Sequence, residues 1–349
     1  MRVLIACDKF KGSLSAPEVA SAIERGLGEG FECELCPIAD GGEGFVEAMV
    51  GAMDGEVVEC EVSDALGRPV EASYGICGKT AVIEMAAASG LWRIDEGERD
   101  VLDSSTVGTG ELMLDAIQRG AEMILLGLGG SATNDGGAGM AAALGWSFFG
   151  KGDVFIEVPT PSALAGLEGV DGGASVELPE IQVACDVENP LLGERGATAI
   201  FGPQKGAGPE EREFLESVLM RLMEVTGGEC LAEVPGAGAA GGLGWGLMQF
   251  ADAQLRPGFE MVADAIGLQE RIEAADVVIT GEGSLDGQSL EGKGPIGVAR
   301  MAVEAGKPVY AIAGQISEEV RGAELLAGFR ALADTGLPLE ELIGRAGEL

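Results

Sequence analysis

The chain has 349 residues, 46% apolar and 23% charged, a globular composition long enough for two domains with large cores. Its net charge of −36 argues against nucleic acid or an anionic membrane as partner. It has no histidine, which excludes Ser-His-Asp and Cys-His catalysis and every imidazole metal site.

The N-terminal "RVLIAC" (2–7) reads as a short buried strand. Its apolar run meets Asp8 too early for a signal-peptide core, and no run is long and apolar enough for a membrane span, so a cytoplasmic protein is expected. After the loop "DKFKGSLS" (8–15), Ser15 and Glu18 form a capping box, and helical spacing runs to Leu27. "ECELCPIAD" (32–40) is a second strand, and the acidic loop "DGGEG" (40–44) follows it. From residue 56 the pattern changes. "EVVECEVSDALGRPVEASYGI" alternates around a turn and reads as a hairpin. Then come a strand at "TAVIEM", a helix at "GTGELMLDAIQRG", a strand at "EMILLGLGG", an Ala-rich helix and a strand at "IQVACD" (181–186). The βα alternation resumes with a strand at "ADVVITGEG" (275–283), a helix over 294–306 and a strand at 308–314. A helical "EEVRGAELLAG" and a last strand at 329–334 follow.

The fold expected is α/β with two domains. A flavodoxin-like, doubly wound parallel sheet is built from both chain ends, residues 1–55 and 255–349, and a mixed α/β domain over 56–254 is inserted into it. The seven cysteines, irregularly spaced, read as reduced packing residues.

Only seven lysines offset the acidic residues, and Lys9, Lys11, Lys205 and Lys293 fall in glycine-bearing loops, as local positive sites for anions would. Asp8, Lys9, Lys11 and Ser13 follow the end of the first strand, where open α/β sheets bind ligands. Asp40 and Glu43 lie at the end of the second and could orient substrate hydroxyls. "GLGGSATNDGGAG" (127–139) offers backbone N–H groups before a helix, the physics of a phosphate cradle, with Asn134 and Asp135 inside it. It is neither a Walker A loop nor a dinucleotide fingerprint. "STVGTGE" (105–111) could add phosphate contacts. Asp186, Asn189 and Lys205 sit in the irregular run 184–208, and Glu282, Asp286 and Lys293 in "ITGEGSLDGQSLEGKGPIGVAR". Carboxylates, lysines and backbone amides on glycine loops are the inventory of phosphoryl transfer, which needs no histidine.

The motifs "DKFKGSLSA", "PIADGGEGFVEAM", "GGSATNDGGAGM", "VACDVENPLLGERGATAIFGPQKGA", "GAGAAGGLGWGL" and "ITGEGSLDGQSLEGKGPIGVA", in this order from residue 1 to about 335, resemble the bacterial type I glycerate kinases. The resemblance implies ATP-dependent phosphorylation of D-glycerate at the 2-hydroxyl. It also implies a flavodoxin-like domain and a restriction-enzyme-like domain. Two departures stand out: the family's Arg between "GEG" and the following Asp is absent, with Ser284 and Leu285 there, and the C-terminal helix is short.

On this reading ATP and glycerate meet in an interdomain cleft. Gly129, Gly130, Ser131, Thr133, Asn134, Lys205 and Glu282 hold the nucleotide. Asp135 and Asp186 carry Mg²⁺. Asp8, Lys9, Lys11, Ser13 and Asp40 bind the acceptor, with Lys11 and Ser13 on its carboxylate. Asp286, or else Asp186, accepts the hydroxyl proton, and Lys293 neutralises the transferring group. The alternatives are a kinase giving 3-phosphoglycerate or using a related hydroxy-acid, and a non-catalytic nucleotide or metabolite sensor; self-association is left open. A dinucleotide-dependent oxidoreductase fails on the missing fingerprint.

Overall fold

The computed structural model describes residues 1–173, 176–286, 294–322, 325–337, 341 and 345. The chain divides into two compact units, one of residues 1–40, 44–55 and 258–349, the other of residues 41–43 and 56–257. Both are α/β.

The first unit holds a five-stranded, wholly parallel sheet in the order Gly328–Ala331, Val309–Ala313, Val277–Gly281, Arg2–Cys7, Glu32–Leu35. From the Arg2–Cys7 strand, fourth in that order, the chain winds outward to the edge at Glu32–Leu35, then returns on the other side at Val277–Gly281. The order therefore reverses between Arg2–Cys7 and Val277–Gly281, which makes their carboxyl ends the ligand-binding switch point of the sheet. Val3, Leu4, Ile5 and Val278 are buried here, as central parallel strands covered on both faces require. The Ala16–Leu27 helix starts where its spacing indicates, with the Ser15 N–H donating to Glu18 Oε2 at 2.8 Å.

The second strand is shorter than its apolar run suggests. It ends at Leu35, although Cys36 N–H still donates to Ile5 O and Ile38 N–H to Cys7 O. Pro37 stands between those two donors, and its missing N–H falls on the outer side of this edge strand, where it costs no ladder bond. The last strand likewise ends at Ala331, and residues 332–335 turn into a 3₁₀ segment. Ser284–Leu285 pairs in parallel with Gln315–Ile316 and buries Leu285.

The second unit has a six-stranded mixed sheet in the order Gln254–Arg256, Glu180–Ala184, Met123–Gly127, Thr80–Glu84, Pro69–Cys77, Glu56–Ser63. The expected hairpin supplies the antiparallel edge, and the other four strands are parallel. A three-stranded antiparallel sheet over residues 147–171 flanks it. The Ala239–Ala251 helix packs against the sheet through Leu243 and Leu247 and buries Trp245 completely. Among the described residues no helix is long and apolar enough to cross a membrane.

That helix ends on Asp252, an exposed residue held at φ 50° and ψ 32°. A left-handed backbone and a negative charge at a helix C-terminus both cost free energy there. Asp252→Gly should therefore raise stability by about 0.5–1 kcal/mol. A urea midpoint below that of the wild type would contradict it.

Candidate active site

In the first unit, three predicted loops converge at the switch point. Asp8 N–H still donates to Gly281 O at 2.8 Å, so Asp8 stands directly at the strand end. Its carboxylate is 9% exposed and accepts the Lys9 backbone N–H at 2.6 Å. Burial, reinforced by the nearby charge of Asp40, pushes its pKa up to about 6, although Lys9 opposes the rise. The Lys9 side chain runs past Gly44, where an added Cβ would lie 3.8 Å from Lys9 Cδ. The turn closes on itself through Phe10 and Leu14, and the Ser13 N–H donates to Phe10 O. A Cβ on Gly283 would lie 3.3 Å from Lys11 N, so the loop after Val277–Gly281 lies against the loop after Arg2–Cys7. The structure thus gathers Asp8, Lys9, Lys11, Ser13, Asp40, Glu282 and Asp286 around one sheet edge. Lys11 and Asp40 are exposed, and Ser13, Glu282 and Asp286 are half-buried. Lys293 lies outside the described residues.

In the second unit, Ala184 pairs with Gly127, and Asp186 and Gly129 each follow that shared rung by two residues in the chain. Gly41 and Gly42 pack on the same edge. A Cβ on Gly41 would sit 2.2 Å from Ala184 Cβ, and one on Gly129 would lie 3.2 Å from Gly42 Cα.

The glycine loop itself is divided in two. Gly129 and Gly130 are exposed, whereas every residue from Ser131 to Met140 is buried. The buried half is a packing joint. A Cβ on Gly241 would lie 2.0 Å from Thr133 O, and one on Gly246 would lie 2.3 Å from Gly136 O. Backbone meets backbone here, and the Ala239–Ala251 helix accommodates it with left-handed residues at Ala240, Gly241 and Gly242.

Asp135 corrects two expectations. It is fully buried and accepts five hydrogen bonds: from Ser105 Oγ (3.3 Å), Thr106 N–H (2.8 Å), Thr106 Oγ1 (2.8 Å), Gly137 N–H (3.1 Å) and Gly139 N–H (3.1 Å). A metal ion on these oxygens would have to displace that shell, so Asp135 does not fit a ligand to Mg²⁺. Its carboxylate also occupies the N-terminus of the Ala138–Ala143 helix, where a phosphate was expected. Ser105 and Thr106, read as phosphate contacts, are spent on Asp135, and Thr106 Oγ1 also accepts from Met140 N–H. Asn134 is buried too, donating to Thr198 Oγ1 at 3.0 Å, while its Oδ1 is buried with no hydrogen-bond partner.

Lys205 is likewise 1% exposed. Its ammonium donates to Thr133 O at 2.6 Å and Ser131 Oγ at 3.1 Å, so it braces the loop from beneath rather than reaching for a phosphate. Burial pushes its pKa down to about 7, with Asp135 opposing.

A segment that the sequence did not mark completes the edge. Ser89–Leu91 pairs antiparallel with Gly130–Ala132: Leu91 N–H donates to Gly130 O at 2.8 Å and Ala132 N–H to Ser89 O at 3.0 Å. Its only local sign was Gly90 closing an Ala-rich run.

The cysteines are all free, as expected of packing residues. Burial raises the Cys7 and Cys36 thiols, which leaves them unreactive.

The chain matches the model of the glycerate kinase family over residues 3–349. It is 44% identical to the glycerate kinase of Bacillus subtilis (strain 168) over 362 residues, covering 100% of this chain and 94% of the relative. It is 48% identical to the glycerate 2-kinase of Escherichia coli (strain K12) over 331 residues, covering 92% and 87%. A crystal structure from Salmonella typhimurium LT2, assigned as a glycerate kinase 2, superposes with a TM-score of 0.88 at 45% identity, covering 95% of this chain and 90% of the other. With all six motifs inside one match, and α/β units of the kind those motifs imply, the chain is a kinase and belongs to the glycerate kinase family.

Proposed function

We propose that the protein transfers the γ-phosphoryl group of ATP to the 2-hydroxyl of D-glycerate. The observation that carries this reading is the carboxylate and lysine cluster at the switch point of the first unit. It suits a small hydroxy-acid: Lys11 and Ser13 take the acceptor carboxylate, while Lys9 and Asp40 orient its hydroxyls. Asp8 accepts the hydroxyl proton. Among the candidate bases Asp8, Asp186 and Asp286, it is the enclosed one, with a pKa raised toward the working pH, as a general base requires. Glu282 and Asp286 belong to the same edge and attend the transferring group, and the charge of Lys293 would neutralise it.

The second unit receives the nucleotide. Exposed Gly129 and Gly130 present backbone N–H groups to the phosphates, while Ser131, Thr133, Asn134, Asp135 and Lys205 hold that backbone in place. Among the described residues no cluster of three or more carboxylates or thiols stands ready for a metal ion. Mg²⁺ keeps several waters and takes one or two carboxylates plus phosphate oxygens, so a single carboxylate beside the phosphates would suffice. Asp186, two residues past the rung that Ala184 shares with Gly127, would hold it, and the ion would neutralise charge on the phosphates. A cytoplasmic setting fits the free thiols.

The test is turnover of D-glycerate with MgATP in a coupled ADP assay, with the product read by phosphorus NMR. The 2-phosphoglycerate signal is expected. A 3-phosphoglycerate signal, or turnover only with another hydroxy-acid, would overturn the substrate assignment.

A further inference from the structure

Trp92 is the one exposed tryptophan of three. It is 70% exposed, whereas Trp245 is fully buried and Trp146 half-buried. Exposed tryptophans are usually mobile at the ring, but this one is fixed. Its indole N–H donates to Ala86 O at 2.9 Å. The ring folds over Gly90, where a Cβ would meet the indole nitrogen at 2.8 Å. The Arg93 guanidinium lies 4.5 Å from the ring centroid and covers one face. Arg93 is itself pinned by Ala87 O at 2.6 Å and Glu71 O at 2.8 Å. What remains is one open aromatic face on a ring held by these contacts.

The location gives that face a use. Trp92 follows Leu91, whose N–H is bonded to Gly130 O, so the indole is anchored one residue from the strand that pairs with the exposed glycines. Gly130 also comes close to the other anchor, since a Cβ there would lie 3.3 Å from Ala86 Cβ. A phosphate-binding backbone and a fixed aromatic plane beside it are the two parts a nucleotide site needs. The plane takes the base, because every base has a π-face and an immobile ring loses little entropy on stacking.

We propose that Trp92 is the nucleobase platform of this kinase, stacking the purine on its open face while Gly129 and Gly130 take the phosphates. The proposal rests on the reading of that loop as the phosphate site and adds the residue that recognises the base. Arg93, on the opposite face, is a positioning residue.

The experiment pairs two variants with two ligands, ADP and inorganic tripolyphosphate, which has the phosphates but no base. Trp92→Ala should weaken ADP binding and raise KM for ATP about tenfold or more, with the effect concentrated in KM. Tripolyphosphate affinity should stay at the wild-type value in the same variant. ADP should quench the wild-type tryptophan emission, and Trp92→Phe should abolish the quench while keeping most of the affinity. Gly130→Asp puts a carboxylate against the phosphates at a left-handed position that Asp tolerates, and should weaken both ligands. If Gly130→Asp loses both ligands but Trp92→Ala keeps wild-type ADP affinity, the platform is wrong and the loop stands. If Gly130→Asp binds both like the wild type, the loop reading falls and the platform with it.

Discussion

Replacing Asp8 by Asn is expected to lower kcat by about 10²–10⁴-fold, the usual contribution of a positioned general base. The same change is expected to stabilise the fold. The sign follows from linkage. Asp8 is almost fully enclosed, and its pKa stands at about 6 against an ordinary value of 3.8, with burial as the largest cause and Asp40 as the next. The folded protein therefore holds the proton more tightly than the unfolded chain does. Between about pH 4 and pH 6 the unfolded chain ionises first, so stability falls as pH rises through that window, and above it the full cost is present. A shift of this size corresponds to about 1–3 kcal/mol. Asn has no charge to desolvate, and its side-chain oxygen can keep the Lys9 N–H. The variant should thus melt above the wild type at pH 8 and with it at pH 4. In the wild type, kcat/KM should show an acid limb near pH 6. An Asp8→Asn enzyme that keeps most of its kcat would move the base to Asp286 or Asp186. Unchanged stability at pH 8 would show that the carboxylate is better solvated than its enclosure indicates.

The active-site residues were legible in the sequence as types and positions, but their roles were not. The Arg2–Cys7 strand and the hairpin over 56–77 were readable because their signals are local: a short apolar run meeting a loop, and alternation around a turn. The loops at 8–15 and 282–286 were readable as loops at strand carboxyl ends because that reading needs only the order of elements. The "SATNDGGAG" half of the glycine stretch misled because its partners are distant in the chain. Thr133 and Asn134 meet Gly241, and Asp135 meets Ser105 and Thr106. A glycine that admits a backbone and a glycine that admits a phosphate are identical in sequence, as are a carboxylate that binds a metal and one that caps a helix. Lys205 is a similar case. Its glycine-rich surroundings marked it as important, but only its depth and its two acceptors show that it faces the loop.

Lys205→Met makes the second large effect visible. A buried ammonium is costly, and this one is fully enclosed, with its pKa lowered to about 7 from 10.5 chiefly by burial. Here the folded protein holds the proton less tightly than the unfolded chain. Between about pH 7 and pH 10 the unfolded chain stays protonated while the folded lysine releases its proton, so this group makes the wild type more stable as pH rises. Methionine removes both the charge and the titration. At pH 7 the gain from losing a desolvated cation offsets the loss at Thr133 O, which is left without its donor at a cost of about 1–3 kcal/mol. The variant should therefore lie close to the wild type at pH 7 and fall behind it toward pH 9, with a difference that grows by up to about 1.4 kcal/mol per pH unit. Function is affected even where stability is not. Without the ammonium, Ser131 and Thr133 lose their brace, and the exposed Gly129–Gly130 backbone is no longer held for the phosphates. A rise in KM for ATP of about tenfold or more is expected at pH 7, where the fold is undisturbed. Denaturant melts at pH 7 and pH 9, beside ATP saturation curves, separate the two effects. A constant stability difference across that range would show that Lys205 keeps its proton in the fold, and an unchanged KM would remove its role in positioning the loop.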